Sequence, residues 1–254
     1  MSYGILTVGG ISSTSYGIFV LAVNDANVPQ RDYTAYSIPG RSRDLHYDNG
    51  RYENIDRVYG LYAQSESGIS AETRMLNFIA ALMGLSGYQR ITDSLHPDYY
   101  KKGEFKGGVN PNFSRFMDGV RFDLTFDCDA RKYLLSGESE VDISNTGSGT
   151  WKTYTLAGQG TLPAKPILLF SGFSSASNCS VVLKNKTLTV ANYTAGTLVY
   201  DCELGDAYNK NTHANLNSYV TLSSGGFPDL SPVTNAFSVK QGATVKIIPN
   251  WCKL

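Results

Sequence analysis

No apolar run in this chain approaches the roughly 20 residues that a membrane-spanning helix needs; the longest, residues 17–23, falls far short. Neither sign of charge is in excess, since 22 Lys and Arg are cancelled by 22 Asp and Glu. A dedicated nucleic-acid binder carries a basic surplus, so that class is disfavoured. The self-repulsion that keeps many proteins monomeric is missing too. Cysteine is scarce. Cys128, Cys179, Cys202 and Cys252 are widely spaced and form no Cys-x-x-Cys, which argues for buried free thiols rather than a metal knot or a redox pair. Residues 1–4 lack a basic leader followed by a long apolar stretch, which predicts synthesis and folding in the cytosol. On that view the Asn-x-Ser/Thr triplets at Asn178, Asn185 and Asn192 reflect turn and strand composition.

Catalytic signatures are also missing. There is no Gly-x-Ser-x-Gly, His-Glu-x-x-His, phosphate-binding loop, dinucleotide fingerprint or calcium loop. His46, His96 and His213 lie far apart in polar, turn-like sequence, and His96 has no His or Cys nearby, which favours a surface or hydrogen-bonding histidine over a metal ligand. The acidic pairs Asp127/Asp129, Glu138/Glu140 and Asp201/Glu203 alternate along strand-like sequence, where an exposed face explains them better than a glycosidase couple. The expectation is a non-enzyme with no cofactor and no metal.

What is present points to a mainly β chain in two domains. Its 254 residues are 42% hydrophobic and 17% charged, enough apolar material for a real core. Seventeen Tyr and 25 Gly suit strands joined by tight turns. The clear helix is 71–83: Ser70 caps it, Glu72 suits its positive end, and Met75, Phe78, Ile79, Leu82 and Met83 form one apolar stripe that plugs a sheet. Gly84 and Gly87 end it. Residues 120–128 alternate, with Val120, Phe122, Leu124 and Phe126 on one face.

Composition shifts after Leu135, which places the domain boundary there: 1–135 and 136–254. Residues 136–160 are rich in Gly, Ser and Thr and read as loop. Trp151 and Tyr154 within it are the candidates for a sugar-stacking platform. Short strands follow at 166–173, 180–184, 187–191, 197–204, 218–222, 235–239 and 244–248, the cadence of a β-sandwich. With Asn185-Lys186 as a turn, Leu183 opposes Leu188 and Val181 opposes Val190, all on one face.

The stretch 37–56 organises the first half. Ile38-Pro39-Gly40-Arg41 is a rigid lead-in, and Asn49-Gly50 has the composition of a two-residue type I′ turn. That turn sets Asp48 opposite Arg51, Tyr47 opposite Tyr52 and Leu45 opposite Asn54. Further out, Ile55, Arg57, Tyr59 and Leu61 fall on the other face from Tyr52, so neither face is cleanly apolar. Two readings stand open: an arm that packs on something else, or a ribbon lying on its own domain.

These residues, in order, resemble a siphophage distal tail protein of phages that infect Gram-positive bacteria. The resemblance is carried by Ile38-Pro39-Gly40-Arg41 with Asp48-Asn49-Gly50-Arg51-Tyr52, by residues 86–94 with His96-Pro97-Asp98, and by Leu162-Pro163-Ala164-Lys165-Pro166-Ile167. Residues 201–208, Phe227-Pro228-Asp229-Leu230 and Val245-Lys246-Ile247-Ile248-Pro249 complete it. It implies an N-terminal ring-forming belt domain with one helix and a projecting hairpin, and a C-terminal galectin-like β-sandwich. It also implies a structural virion protein: a hexameric ring at the tail tip, stacked under the tail tube protein. That ring would carry a tail-associated fibre or lysin protein, receptor-binding or baseplate proteins in some phages, and a channel through which DNA passes without sequence recognition. The implied ring interface is Arg41, Asp44, Tyr47, Asp48, Asn49, Gly50, Arg51 and Tyr52. Two departures are visible: Cys252 follows Trp251 where a second aromatic is expected, and the Gly-rich stretch 147–160 lengthens the interdomain segment.

Overall fold

The computed structural model describes residues 4–25, 27–113, 119–146, 150–173, 177–223 and 225–254. Residues 1–3, on which the leader reading partly rests, and residues 147–149 of the Gly-rich stretch lie outside them. The chain divides into two compact units, Met1–Lys132 with Leu254, and Tyr133–Lys253.

The first unit contains β1 (Leu6–Val8), β2 (Ile11–Ser12), β3 (Ile18–Asn24), β4 (Arg31–Tyr36), β5 (Leu45–Tyr52), β6 (Ile55–Gln64), α1 (Ala71–Met83), β7 (Gln89–Asp93), β8 (Tyr99–Phe105), β9 (Asn112–Phe113) and most of β10 (Gly119–Leu134). Its main sheet runs β2-β1-β7-β8-β10-β6-β3, with β9 paired to β10 beside that path. Gly4, just ahead of β1, exchanges backbone hydrogen bonds with Val20 of β3 at 3.0 and 2.8 Å. The sheet therefore curls until the β1 side meets β3.

The predicted alternation in β10 is observed: Val120, Phe122, Leu124, Phe126 and Cys128 are all buried. Opposite them in β6 stand Ala63, Leu61, Tyr59, Arg57 and Ile55, also buried. This corrects the reading of Ile55–Leu61 as the outer leg of a mixed-face hairpin. After Glu53 and Asn54 the chain starts a separate core strand, and the parity that looked wrong for the ribbon is the inward parity of β6.

Helix α1 forms over the predicted residues. Ser70 Oγ accepts the Thr73 N–H at 3.2 Å, and Gly84 closes the helix in a right-handed conformation. Met75, Phe78 and Leu82 join Leu6, Ile18, Leu61 and Phe122 in one buried cluster. Each such burial contributes about 1.5–3 kcal/mol. The apolar stripe is wider than the face it buries: Ile79 is half-buried and Met83 is 60% exposed.

The second unit contains β11 (Val141–Asp142), β12 (Trp151–Ala157), β13 (Ile167–Ser171), β14 (Cys179–Leu183), β15 (Lys186–Val190), β16 (Leu198–Asp201), β17 (Asp206–Asn209), β18 (Val220–Leu222), β19 (Thr234–Lys240), β20 (Thr244–Ile248) and β21 (Cys252–Lys253). Two five-stranded antiparallel sheets, β11-β20-β13-β16-β17 and β12-β19-β14-β15-β18, make a sandwich. Leu168, Phe170, Tyr200, Val245 and Ile247 of one sheet and Val181, Leu188, Val190, Phe237 and Val239 of the other are buried. The β14–β15 turn is Lys184-Asn185, both with positive φ (47° and 61°), one residue earlier than predicted. Val181 therefore faces Leu188, and Cys179 faces Val190. Moving the turn by one residue changes every partner by two, so Val181, Leu183, Leu188 and Val190 keep their common inward face. β12 pairs with β19 along its whole length. The stretch 151–157 is thus an edge strand of the sandwich, not loop, and its Trp, Tyr and Thr residues suit that role.

Candidate functional site

The candidate site is the ribbon of β4 and β5, which form a two-stranded sheet of their own. The register pairs Tyr36 with Leu45, Ala35 with His46, Thr34 with Tyr47, Tyr33 with Asp48 and Arg31 with Tyr52. A hairpin is therefore present, but residues 37–44 form its loop. Within that loop Arg41 N–H donates to the Ile38 carbonyl at 3.1 Å. Pro39 followed by Gly40 at φ 81° fits a type II turn there.

Asn49-Gly50 does not turn the chain. The pair lies inside β5, where Asn49, Gly50 and Arg51 stand against the single residue Asp32. The opposed pairs Asp48/Arg51, Tyr47/Tyr52 and Leu45/Asn54 are accordingly not formed. The reason is local: Gly50 has φ 74°, which an Asn-Gly turn requires, but a bulge uses the same conformation. Asp32 fastens the bulge, accepting from Asn49 Nδ2 at 2.9 Å and from Arg51 Nε at 2.5 Å. Those two hydrogen bonds hold the Asp32 carboxyl below its usual range. Gly50 N–H donates to Asp48 Oδ1 at 2.8 Å.

The register also sorts the faces. On one, the Tyr33 and His46 rings stack at 4.5 Å and Arg31 pairs with Asp48 at 2.8 Å. On the other, Tyr36, Leu45 and Tyr47 lie side by side, 55%, 56% and 65% exposed. Of the residues implied as ring interface, Asp48, Asn49, Gly50 and Arg51 make contacts within the ribbon, and Tyr52 is half-buried beside Arg31. Tyr47, Arg41 and Asp44 remain exposed. β4 and β5 pack chiefly on each other, and among the described residues nothing of their own domain covers either face. The geometry favours the projecting arm over the ribbon lying flat.

The ribbon's root was not anticipated. Arg57, essentially buried, places Nη1 2.8 Å from Asp25 Oδ1 and donates to the Asp25 carbonyl at 3.0 Å and the Asn27 carbonyl at 3.4 Å. Lys132 Nζ reaches the same Asp25 carbonyl at 3.3 Å, and Tyr99 Oη donates to the Asp25 carboxylate. Lys101, also buried, stands 3.4 Å from both Asp25 Oδ1 and Asp93 Oδ2 and donates to Tyr59 Oη at 3.0 Å. Burial opposes ionisation of Asp25, but the Tyr99 hydrogen bond and the Lys101, Arg57 and Lys132 charges outweigh it and lower its pKa. Burial raises Tyr59 and Tyr99, and lowers Lys132. Buried charges persist only when paired; here they join the end of β3, just before the ribbon, to the start of β6, just after it. Glu53 N–H to the Gln30 carbonyl at 2.9 Å closes the same neck. The available signal was a charged residue at core parity, Arg57 between Ile55 and Tyr59.

The sugar candidates do not share a surface. Tyr154 stands opposite the buried Phe237, while Trp151 stands opposite Lys240. An odd spacing along a strand puts the two rings on opposite faces. Tyr154 Oη donates to the Ser144 carbonyl. All four cysteines are free, and burial pushes the Cys128 thiol up to about 12 and Cys179 up to about 11. His96 Nδ1 lies 2.9 Å from Asp93 Oδ1, the hydrogen-bonded histidine expected there. Among the described residues no group of His, Cys, Asp and Glu is arranged to hold a metal, and no helix is long and apolar enough to cross a membrane.

No family model matches the chain, and no curated protein matches it. Solved structures do. The SPP1 Dit (gp 19.1) protein, a paradigm of the hub adsorption apparatus in phages infecting Gram-positive bacteria, is similar with a TM-score of 0.73 and 16% identity, over 97% of this chain and 98% of that one. A chain of the phage p2 baseplate, in its activated conformation with Sr, is similar with a TM-score of 0.55 and 9% identity, over 96% and 97%. The chain therefore has the Dit fold over nearly its whole length.

Proposed function

We propose that this chain is a distal tail protein, a non-enzymatic structural hub of a phage adsorption apparatus. One observation carries the reading: the likeness to SPP1 Dit spans both units and nearly all of both chains, so it is not one common sandwich matching another. The exposed ribbon supports it, because an arm rooted in a buried ion network and uncovered on both faces is built to meet another molecule.

In this reading six copies close a ring through the ribbon, a heterologous contact that closes under rotation. The ring sits at the virion tail tip after synthesis in the host cytoplasm. It links the tail tube protein to a fibre or lysin protein and to receptor-binding or baseplate proteins, and leaves a channel for DNA. Near-zero net charge tolerates identical copies side by side.

Native mass spectrometry and particle imaging of the purified chain test the ring, and antibody labelling of virions tests the location. Six-fold rings and label at the tail tip are the expected results. A monomer at all concentrations, together with virions free of label, overturns the proposal.

A further inference from the structure

The first unit carries a second unpartnered apolar surface. Between α1 and residues 107–111 runs a groove of about 410 Å³, lined by Leu76, Ile79, Met83, Val109 and Pro111 with Glu72 at its rim. Leu76 and Met83 are 54% and 60% exposed, and Met-rich walls adapt to flat aromatic partners. Among the described residues, Glu72 is the only charged one lining the groove, and it makes no ion pair with any of them. Arg74, two residues beyond Glu72, is turned to Glu66 at 3.5 Å, and Lys106, beside Gly107, to Asp56 and Asp127 at 3.2 and 3.8 Å. The ribbon is its complement: an apolar row of Tyr36, Leu45 and Tyr47, and a loop whose Arg41 and Arg43 are exposed and without an ion pair among the described residues. α1 packs chiefly on β6 and on the turn at Ser13–Tyr16 of its own chain.

We infer that the α1 groove is the receptor for the ribbon of a second copy of this chain, with Tyr36, Leu45 and Tyr47 against Leu76 and Met83, and Arg41 or Arg43 on Glu72. The inference rests on the ring reading and names the surface that ring would use. Because ribbon and groove are different patches, each copy gives one and receives one, and the contact propagates until it closes. Apolar burial supplies affinity, and the charge pair at the rim sets which way the ribbon lies.

The test uses the full chain, with folding checked by circular dichroism and thermal unfolding; Leu76 and Met83 are exposed, so their variants keep the core. Leu76→Glu with Met83→Glu is the groove-defective form, and Tyr36→Ala with Tyr47→Ala the ribbon-defective form. Each alone is expected to weaken assembly at least tenfold by light scattering. Mixed, they retain one good ribbon and one good groove between them, and should give open dimers without rings. Glu72→Arg is expected to weaken assembly, and Arg41→Glu with Arg43→Glu to restore it in the same chain. Assembly lost in the ribbon form but intact in the groove form overturns the groove and leaves the ribbon reading standing. Assembly intact in both forms, or a wild type that never associates, overturns both.

Discussion

The Arg57 guanidinium lies 2.8 Å from the Asp25 carboxylate and donates to the Asp25 carbonyl at 3.0 Å, so one buried side chain ties the strand leading into the ribbon to the strand leading out. Removing either member leaves the other charged and buried. Asp25→Ala is expected to lower stability by about 3–5 kcal/mol, measured by urea unfolding. Arg57→Met, which keeps the volume, should cost less, because Lys101, Lys132 and the Tyr99 hydroxyl still pair the Asp25 carboxylate. A loss below about 1 kcal/mol in both variants would show that the network is not a clamp.

The same carboxylate predicts an acid limb. Its folded pKa lies below the ordinary 3.8, so its ionised form stabilises the fold above that value. That contribution is lost as pH falls through the lower folded-state value. The urea midpoint should therefore drop on acidification from about pH 5 to about pH 2. In Asp25→Asn the midpoint is lower at neutral pH and the limb is flatter. An identical limb in the variant would assign the effect to another group.

Tyr36→Ala with Tyr47→Ala separates stability from assembly. Both rings are mostly exposed, so unfolding should shift by no more than about 0.5 kcal/mol. Association of the intact chain should weaken about tenfold or more, which is about 1.4 kcal/mol. A large fall in melting temperature would mean that the ribbon face is covered within its own domain.

Gly50→Val tests the bulge. At φ 74° a β-branched residue is strained by about 1–2 kcal/mol. The ribbon shares little packing with other elements, so the change should open it locally rather than unfold the unit. Amide exchange at Thr34 and Tyr47 should accelerate while the α1 amides stay protected. Uniform acceleration across both would count against a separately stable ribbon.

Trp151→Ala and Tyr154→Ala should differ. Tyr154 faces the buried Phe237 and bonds the Ser144 carbonyl, so its loss should destabilise by about 1–3 kcal/mol. Trp151 points outward, and its loss should leave both unfolding and titration with cell-wall polysaccharide unchanged. Saturable binding that disappears in Trp151→Ala would revive a sugar site on this edge.

What could be read along the chain was what depends on local period. The 3.6-residue spacing of Met75, Phe78 and Leu82, the alternation from Val120 to Phe126, and the shared parity of Val181, Leu183, Leu188 and Val190 each select a face without reference to any other element. A strand period of two even tolerated a misplaced β14–β15 turn. What the tertiary structure alone decided was pairing. Asn49-Gly50 supplies a positive φ, and whether that becomes a turn or a bulge depends on Asp32, 17 residues away, reaching it. Arg57 is a misfit in an apolar run until Asp25 is folded against it across 32 residues. The exposure of Tyr36, Leu45 and Tyr47 likewise has no local sign, because an apolar row on a strand is read as inward unless the rest of the chain fails to cover it.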